Sequence, residues 1–258
     1  MKVTGERVAT PEGGFNPTWQ RHVAAYLLCE PFLPTPASGD GPVLDLGCGV
    51  GHSYHLLEPR RTVGVDIDPG ALAGQDRETV VADMRQLPFD DASFTSLIAV
   101  HSLEHVPDPE RTIAEAARVV APGGAAIFVT PNRLTFGRPD EIIDPYHFRE
   151  FDSGELAALC GARFGEVRSL GLFGSPRYME LFDEDRAKLE RLLAKDPLRL
   201  RRLVPLKGRQ WLYDTMLERA RGDADPRAAA IEASDFEMRG SELEAALDVC
   251  AVCTLPKS

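Results

Sequence analysis

Short, almost uninterrupted apolar runs alternate with amphipathic stretches through the middle of the chain. PVLDLG (42–47), RTVGVDI (61–67), ETVVAD (78–83), FTSLIAV (94–100) and AAIFVTP (125–131) read as strands buried on both faces. Between them, HSYHLLE (52–58) predicts a short helix stopped by Pro59, and PGALAGQ (69–75) a helix with proline in its first turn. DPERTIAEAARVV (108–120) predicts a longer helix capped by Asp108, with Ile113, Ala116, Ala117 and Val120 on one face and APGG as its stop. A helix over SGELAALCGA (153–162) and a sixth strand over EVRSLGL (166–172) follow. This rhythm implies right-handed crossovers and a parallel sheet covered by helices on both faces.

The flanks read differently. FNPTWQRHVAAYLLCE (15–30) predicts a helix outside the sheet, part of an N-terminal cap over 15–38. After a core over 41–176, residues 177–232 are helical and polar-rich, and DFEMR and ALDVCAVCTL then return to the sheet within 233–258. The expected organisation is one domain, 1–258, with a helical insertion or lid ahead of the last strands.

Composition narrows the class. The formal net charge of -11 argues against general affinity for nucleic acid, whose phosphates call for clustered Lys and Arg. No signal-peptide core and no membrane-spanning run is visible, and the five scattered cysteines suit a reducing compartment, so a cytoplasmic location is expected. Cys250 and Cys253 have C-x-x-C spacing, but on a strand they point to opposite faces, which disfavours a metal or redox pair.

VLDLGCGVGHSY (43–54) carries the chemistry. A glycine-rich turn after the first strand lets a ligand approach the backbone at the strand C-termini, where open α/β sheets bind ligands. The glycines fall at 47, 49 and 51; the dinucleotide fingerprint needs position 52, which is His52. No G-x-x-x-x-G-K-[ST] and no Tyr-x-x-x-Lys pair is present.

The sequence resembles class I S-adenosylmethionine-dependent methyltransferases, in particular the small-molecule group typified by ubiquinone/menaquinone-biosynthesis enzymes. VLDLGCGVG, VGVDID, VVADMRQLPFDDASFTSLIAVHSLEHVPDP and RVVAPGGAAIFVTPN carry the likeness, in order, over about 41–172. It implies a Rossmann-like, doubly wound, mostly parallel seven-stranded sheet with the last strand antiparallel. It also implies S-adenosylmethionine as cofactor and S-adenosylhomocysteine as product. The methionine end would lie along Gly47, Cys48 and Gly49, with Asp45 organising the loop. Asp66 would hold the ribose, Ile67 cover the adenine, and Asp83 and the Met84 amide read its edge. His101 would stand where the reactive methyl meets the acceptor. The helix after the glycine loop is shorter than is usual in the family.

Methyl transfer is an in-line displacement, so the protein chiefly positions the acceptor and, for an oxygen nucleophile, removes a proton. Candidate bases are His101, His105 and His147. His101 and His105 would share a face were HSLEH helical, but no third ligand is evident, and no metal is expected. In DPYHFREF (144–151), Tyr146, His147 and Glu150 are candidates for lining the acceptor pocket. Arg21, with Trp19 beside it, could close over the cofactor carboxylate. Residues 186–209 hold nine Lys/Arg against two Asp/Glu, with apolar stripes at Leu189, Leu192, Leu193, Leu200, Leu203 and Val204. That pattern fits a solvated cover, or a lid for an anionic or lipid-like acceptor or an acidic membrane surface. The expected function is methylation of an oxygen or carbon of a small molecule, with no nucleic acid partner. A non-catalytic S-adenosylmethionine-binding protein, or a nicotinamide-dependent oxidoreductase, are the alternatives.

Overall fold

The computed structural model describes residues 11–34, 41–136, 141–196, 199–221 and 225–256. Positions 1–10, 35–38 of the expected cap, and 197–198 and 222–224 of the expected insertion lie outside the described residues.

Helix α1 is Asn16–Cys29. The chain then runs β1 (Val43–Leu46), β2 (Thr62–Asp66), α2 (Pro69–Leu72), β3 (Glu78–Val81), β4 (Phe94–Val100), α3 (Pro109–Val119), β5 (Val120–Pro131) and α4 (Arg133–Phe136). It continues through α5 (Ser153–Gly161), β6 (Phe164–Gly174), α6 (Pro176–Leu193), α7 (Leu206–Arg221), α8 (Pro226–Ala229), β7 (Phe236–Arg239) and β8 (Asp248–Pro256). The sheet order is β3-β2-β1-β4-β5-β8-β6-β7. Strands β1 to β5 pair in parallel, and β8 runs antiparallel to both β5 and β6.

The expected doubly wound, mostly parallel sheet with an antiparallel last strand is therefore present, but it has eight strands, not seven. The extra one is β7, the DFEMR segment, at the sheet edge. Two other differences have local causes. APGG is not a stop between a helix and a strand; Val120 already pairs with Phe94, and Ser96 next pairs with Ala125. Residues 121–124 are thus a bulge within β5, made possible by Gly123 at φ 84°. The segment expected as a helix over 52–58 is a 3₁₀ turn at Tyr54–Leu57, ended by Pro59.

Alternation along the strands feeds two cores. Leu97 and Ala99 of β4, Phe128 of β5 and Cys253 of β8 join Ile113, Ala116 and Ala117 of α3 and Leu156 of α5 on one face. Ile98, Val100, Ile127 and Cys250 join Ala25, Tyr26 and Cys29 of α1 on the other. Cys250 and Cys253 are thereby on opposite faces, and all five cysteines are free and buried.

The described residues group into two compact units. Among the described residues, the sheet unit comprises 22–34, 41–136, 141–142, 147–173 and 238–256, and the helical unit 11–21, 143–146, 174–196, 199–221 and 225–237. In the helical unit, Asp235 accepts from the Ser175 hydroxyl and from Arg177. The Asn16 amide there donates to the Ala228 and Ile231 carbonyls at 2.9 and 2.8 Å.

In the sheet unit, the fully buried Asn132 staples the turn that leads into β8. Its Nδ2 reaches the carbonyls of Leu243, Glu244 and Ala246 at 3.1, 3.3 and 2.8 Å, while its amide donates to Leu247 O. Asn132→Ala leaves those carbonyls short of a donor. It is expected to lower the unfolding free energy by about 1–3 kcal/mol, read as a lower urea midpoint at unchanged slope. An unchanged midpoint would show that the staple carries no stability.

Candidate functional site

The loop after β1 turns sharply because Gly47, Gly49 and Gly51 hold φ at 71°, 52° and 67°. A Cβ at Gly47 would come within 2.4 Å of the Ser102 Cβ, so the β1 and β4 exits are packed backbone to side chain. At Gly49 a Cβ would meet nothing within 4 Å. The Cα of Gly49 is unobstructed on that side, while its N–H and C=O are engaged by Asp66 and Gln75.

The loop rests on a chain of polar contacts. Asp45, buried in β1, accepts from the Tyr26 hydroxyl and from Arg77, each at 2.7 Å. Arg77 stacks its guanidinium 4.2 Å from the centre of the Tyr54 ring and donates to Gln75 Oε1 at 2.9 Å. Gln75 Nε2 in turn donates to Gly49 O at 2.8 Å. Asp45 so organises the loop at second hand, through Arg77 and Gln75, neither of which the sequence had pointed to. Burial works against the Arg77 charge, but the adjacent Asp45 carboxylate outweighs it and its pKa is raised. Burial, with Asp45 beside it, pushes the Cys48 thiol up to about 12. Cys48 is therefore a neutral packing residue of the loop.

At the end of β2, the Asp66 carboxylate accepts from the Gly49 and Asp68 amides, both at 2.9 Å. The next side chain, Ile67, is 64% exposed. Past β3, Asp83 accepts from Arg85 through Nε and Nη2, and this hydrogen bonding lowers its pKa. The Met84 methyl group lies 3.0 Å from where a Gly47 Cβ would stand. Arg21 is buried on α1, at the last position that groups with the helical unit.

The histidines divide into two clusters. His101 follows β4 with φ at 48°, a left-handed backbone costing about 1–2 kcal/mol for a residue with a Cβ. Its amide donates to Val129 O at 2.8 Å. Its Nε2 lies 2.9 Å from Asp248 Oδ1 and its Nδ1 2.9 Å from His22 Nε2. The His22 ring is 5.7 Å from that of His52, whose pKa burial lowers to about 4, with His55 and His101 adding to the effect.

His105 turns elsewhere. Leu103–His105 is a single 3₁₀ turn, so the condition under which His101 and His105 would share a face is not met. His105 stands instead edge-on to His147, with ring centres 5.0 Å apart. His147 Nδ1 is 2.9 Å from Glu150 Oε1, and the Phe148 amide donates to the Glu104 carbonyl at 2.8 Å. Glu104, His105 and His147 each bring a ligand-type atom within 4.8 Å of the others, a set able to hold a divalent cation. Its third member, His147, was not legible from HSLEH alone. Tyr146 belongs to the helical unit, where its hydroxyl donates to Asp214 at 2.8 Å.

Residues 44–128 match the family described as "Methyltransferase domain". A "probable S-adenosylmethionine-dependent methyltransferase" of Mycobacterium tuberculosis is 30% identical over 270 residues, covering 99% of this chain and 90% of the relative. Tocopherol O-methyltransferase of Arabidopsis thaliana is 30% identical over 118 residues, 40% of this chain and 34% of that one. The crystal structure of an S-adenosylmethionine-dependent methyltransferase from Thermotoga maritima shares the fold, with a TM-score of 0.61 at 18% identity, covering 93% and 91% of the two chains. The nicotinamide alternative falls with these likenesses. Likeness over nearly the whole chain, on a sheet that opens its glycine loop to a ligand, makes this protein a member of the S-adenosylmethionine-dependent methyltransferases.

Proposed function

We propose that the chain methylates an oxygen or carbon of a small-molecule acceptor, with the cofactor on the edge formed by β1, β2 and β3. The carrying observation is the Gly49 peptide, open on one side and tied to the Asp66 carboxylate on the other. In this reading the backbone from Gly47 through Cys48 to Gly49 takes the methionine end. Asp66, at the end of β2, accepts from the ribose hydroxyls. The exposed Ile67 covers the adenine, Asp83 and the Met84 amide meet its edge, and Arg21 meets the carboxylate. When bound, the cofactor supplies an activated methyl on a positive sulfur. The acceptor lies toward His101, with Tyr146, His147 and Glu150 as its further neighbours. The small-molecule assignment draws on the tocopherol-methylating relative and on the net charge of -11, which also speaks against nucleic acid as a partner.

Asp66→Ala should weaken S-adenosylhomocysteine binding by about 10- to 100-fold in calorimetry, the value of one or two hydrogen bonds to a charged group. Binding equal to that of the unaltered chain would remove Asp66 from the cofactor site.

The reading uses no resident metal. Glu104, His105 and His147 are taken as anchors of the 147–151 segment, consistent with the Phe148–Glu104 hydrogen bond. Dialysis against EDTA is expected to leave radiolabel transfer into a small-molecule cell extract within about twofold. A loss restored by magnesium, manganese or zinc ions would instead place a cation on that cluster.

The basic stretch of the helical unit extends the reading to an anionic or lipid-like acceptor, or to contact with an acidic membrane surface. Leu200 and Leu203, 58% and 81% exposed, flank the basic positions Arg199 and Arg201 in sequence, and Trp211 on α7 is 67% exposed. No helix among the described residues is long and apolar enough to cross a membrane, so any contact is peripheral. The side chain of Arg202 lies outside the described residues. Arg199→Glu with Arg201→Glu should cut partition onto phosphatidylglycerol vesicles by at least about tenfold, at roughly 1 kcal/mol per charge. Unchanged partition would end the membrane reading.

A further inference from the structure

We propose that Gln75 is a positioning residue for cofactor binding: anchored by Arg77, its amide fixes the Gly49 peptide along which the methionine end would lie. The proposal rests on the cofactor reading given above and adds what holds the loop ready for the ligand.

A glycine turns with little hindrance about both of its backbone bonds. The Gly49 N–H belongs to the peptide before its Cα, and the Gly49 C=O to the peptide after it. Asp66 Oδ2 accepts from the first at 2.9 Å, and Gln75 Nε2 donates to the second at 2.8 Å. Peptides are planar, so holding both planes sets the two dihedrals between them. Gly49 stands at φ 52°, and an added Cβ there would meet nothing within 4 Å. The unobstructed side of its Cα is thus turned one way before a ligand arrives. Order that already exists is not subtracted from the binding free energy.

The orientation of the Gln75 amide follows from its neighbours. Arg77 has no acceptor, so the Gln75 atom 2.9 Å from its Nε is the carbonyl oxygen, and the amide nitrogen faces Gly49 O. That nitrogen also lies 3.3 Å from Ala71 O and 3.8 Å from Cys48 Sγ. Arg77 is held on its other sides. Its Nη2 donates to Asp45 at 2.7 Å, its Nη1 to the Thr62 hydroxyl at 3.3 Å, and the Tyr54 ring lies 4.2 Å from the guanidinium. Gln75 and Arg77 both come from the short connection between α2 and β3, which is thereby part of the loop's support.

Two glycines make room for this strut. A Cβ at Gly64 of β2 would lie 2.8 Å from Arg77 Nη2 and 2.9 Å from Cys48 Sγ. A Cβ at Gly51 would lie 2.2 Å from Gln75 Oε1 and 2.4 Å from its Cδ. The Gln75 amide could step aside only by leaving Arg77 and Gly49. The third glycine of the loop, at φ 67°, therefore seats a side chain of its own protein.

Calorimetry with S-adenosylhomocysteine and thermal melting, both on the full chain, test this. Gln75→Glu keeps the size and the bond to Arg77 but turns a second oxygen toward Gly49 O. It should weaken binding about tenfold, for a lost hydrogen bond and an opposed carbonyl, with the melting temperature of the ligand-free chain little changed. Gln75→Ala should weaken binding about three- to tenfold. Gly51→Ala should lower both affinity and melting temperature, and should lower both by less when added to Gln75→Ala, where the 2.2 Å clash is gone. A role in stability alone would shift the melting temperature and leave the affinity of the folded chain in place. Gln75 variants that bind as tightly as the unaltered chain therefore overturn the proposal, as does a Gly51→Ala loss of equal size in both backgrounds. An unaltered chain that binds no S-adenosylhomocysteine, or an Asp66→Ala chain that binds it equally well, counts against the cofactor reading instead. The melting comparison in the two backgrounds then decides by itself whether Gln75 fills the space at Gly51.

Discussion

The buried ion pair between Asp45 and Arg77 is the constraint on which the glycine loop after β1 depends. Both side chains are almost wholly out of water, at 1% and 4% exposure, so neither charge is tolerable without the other. The pair joins β1 to the residue just ahead of β3, takes in Tyr26 from α1, and passes through Gln75 to the carbonyl of Gly49. A glycine loop has no side chains with which to fix itself. Here its shape is imposed from below by charge pairing and from the side by the Asp66 carboxylate. Removing one partner of such a pair leaves the other charge buried and uncompensated, at a cost of about 3–5 kcal/mol.

What the sequence made legible was local. The glycine spacing, the position of Asp66 at a strand end and the apolar strands all declare themselves within a few residues. The stripe Ile113, Ala116, Ala117 is buried as its 3.6-residue period requires, but Val120 leaves it to begin β5. What stayed hidden depends on contacts distant in sequence. Arg77 reaches Asp45 across 32 residues, His101 meets His22 across 79 and Asp248 across 147. No periodicity encodes such meetings. HSLEH left the question open for a different reason: i, i+4 spacing implies a shared face only on a helix, and the left-handed His101 removes that condition. The bulge at 121–124 hid behind APGG, which reads as a stop whether the chain leaves the sheet or only bends within it.

The two halves of the expected acceptor region also differ in kind. Tyr146 closes a short segment of the helical unit, while His147, its neighbour in sequence, begins a segment of the sheet unit. His147 and Glu150 are locked to each other and lie beside His105, whereas Tyr146 is tied to Asp214 on α7. The sheet unit therefore carries the glycine loop and the histidine clusters on regular strands and their exits.

Burial of every thiol has a practical corollary. All five cysteines sit inside the packed interior, and at Cys48 the ionised form is suppressed. Maleimide reagents attack thiolates at accessible positions, so the native chain should be nearly silent toward them. A lone cysteine placed at the 81%-exposed Leu203 would then be the single labelling point. A dye there offers a reporter of how the helical unit responds as ligands are added, with no native thiols to be removed first.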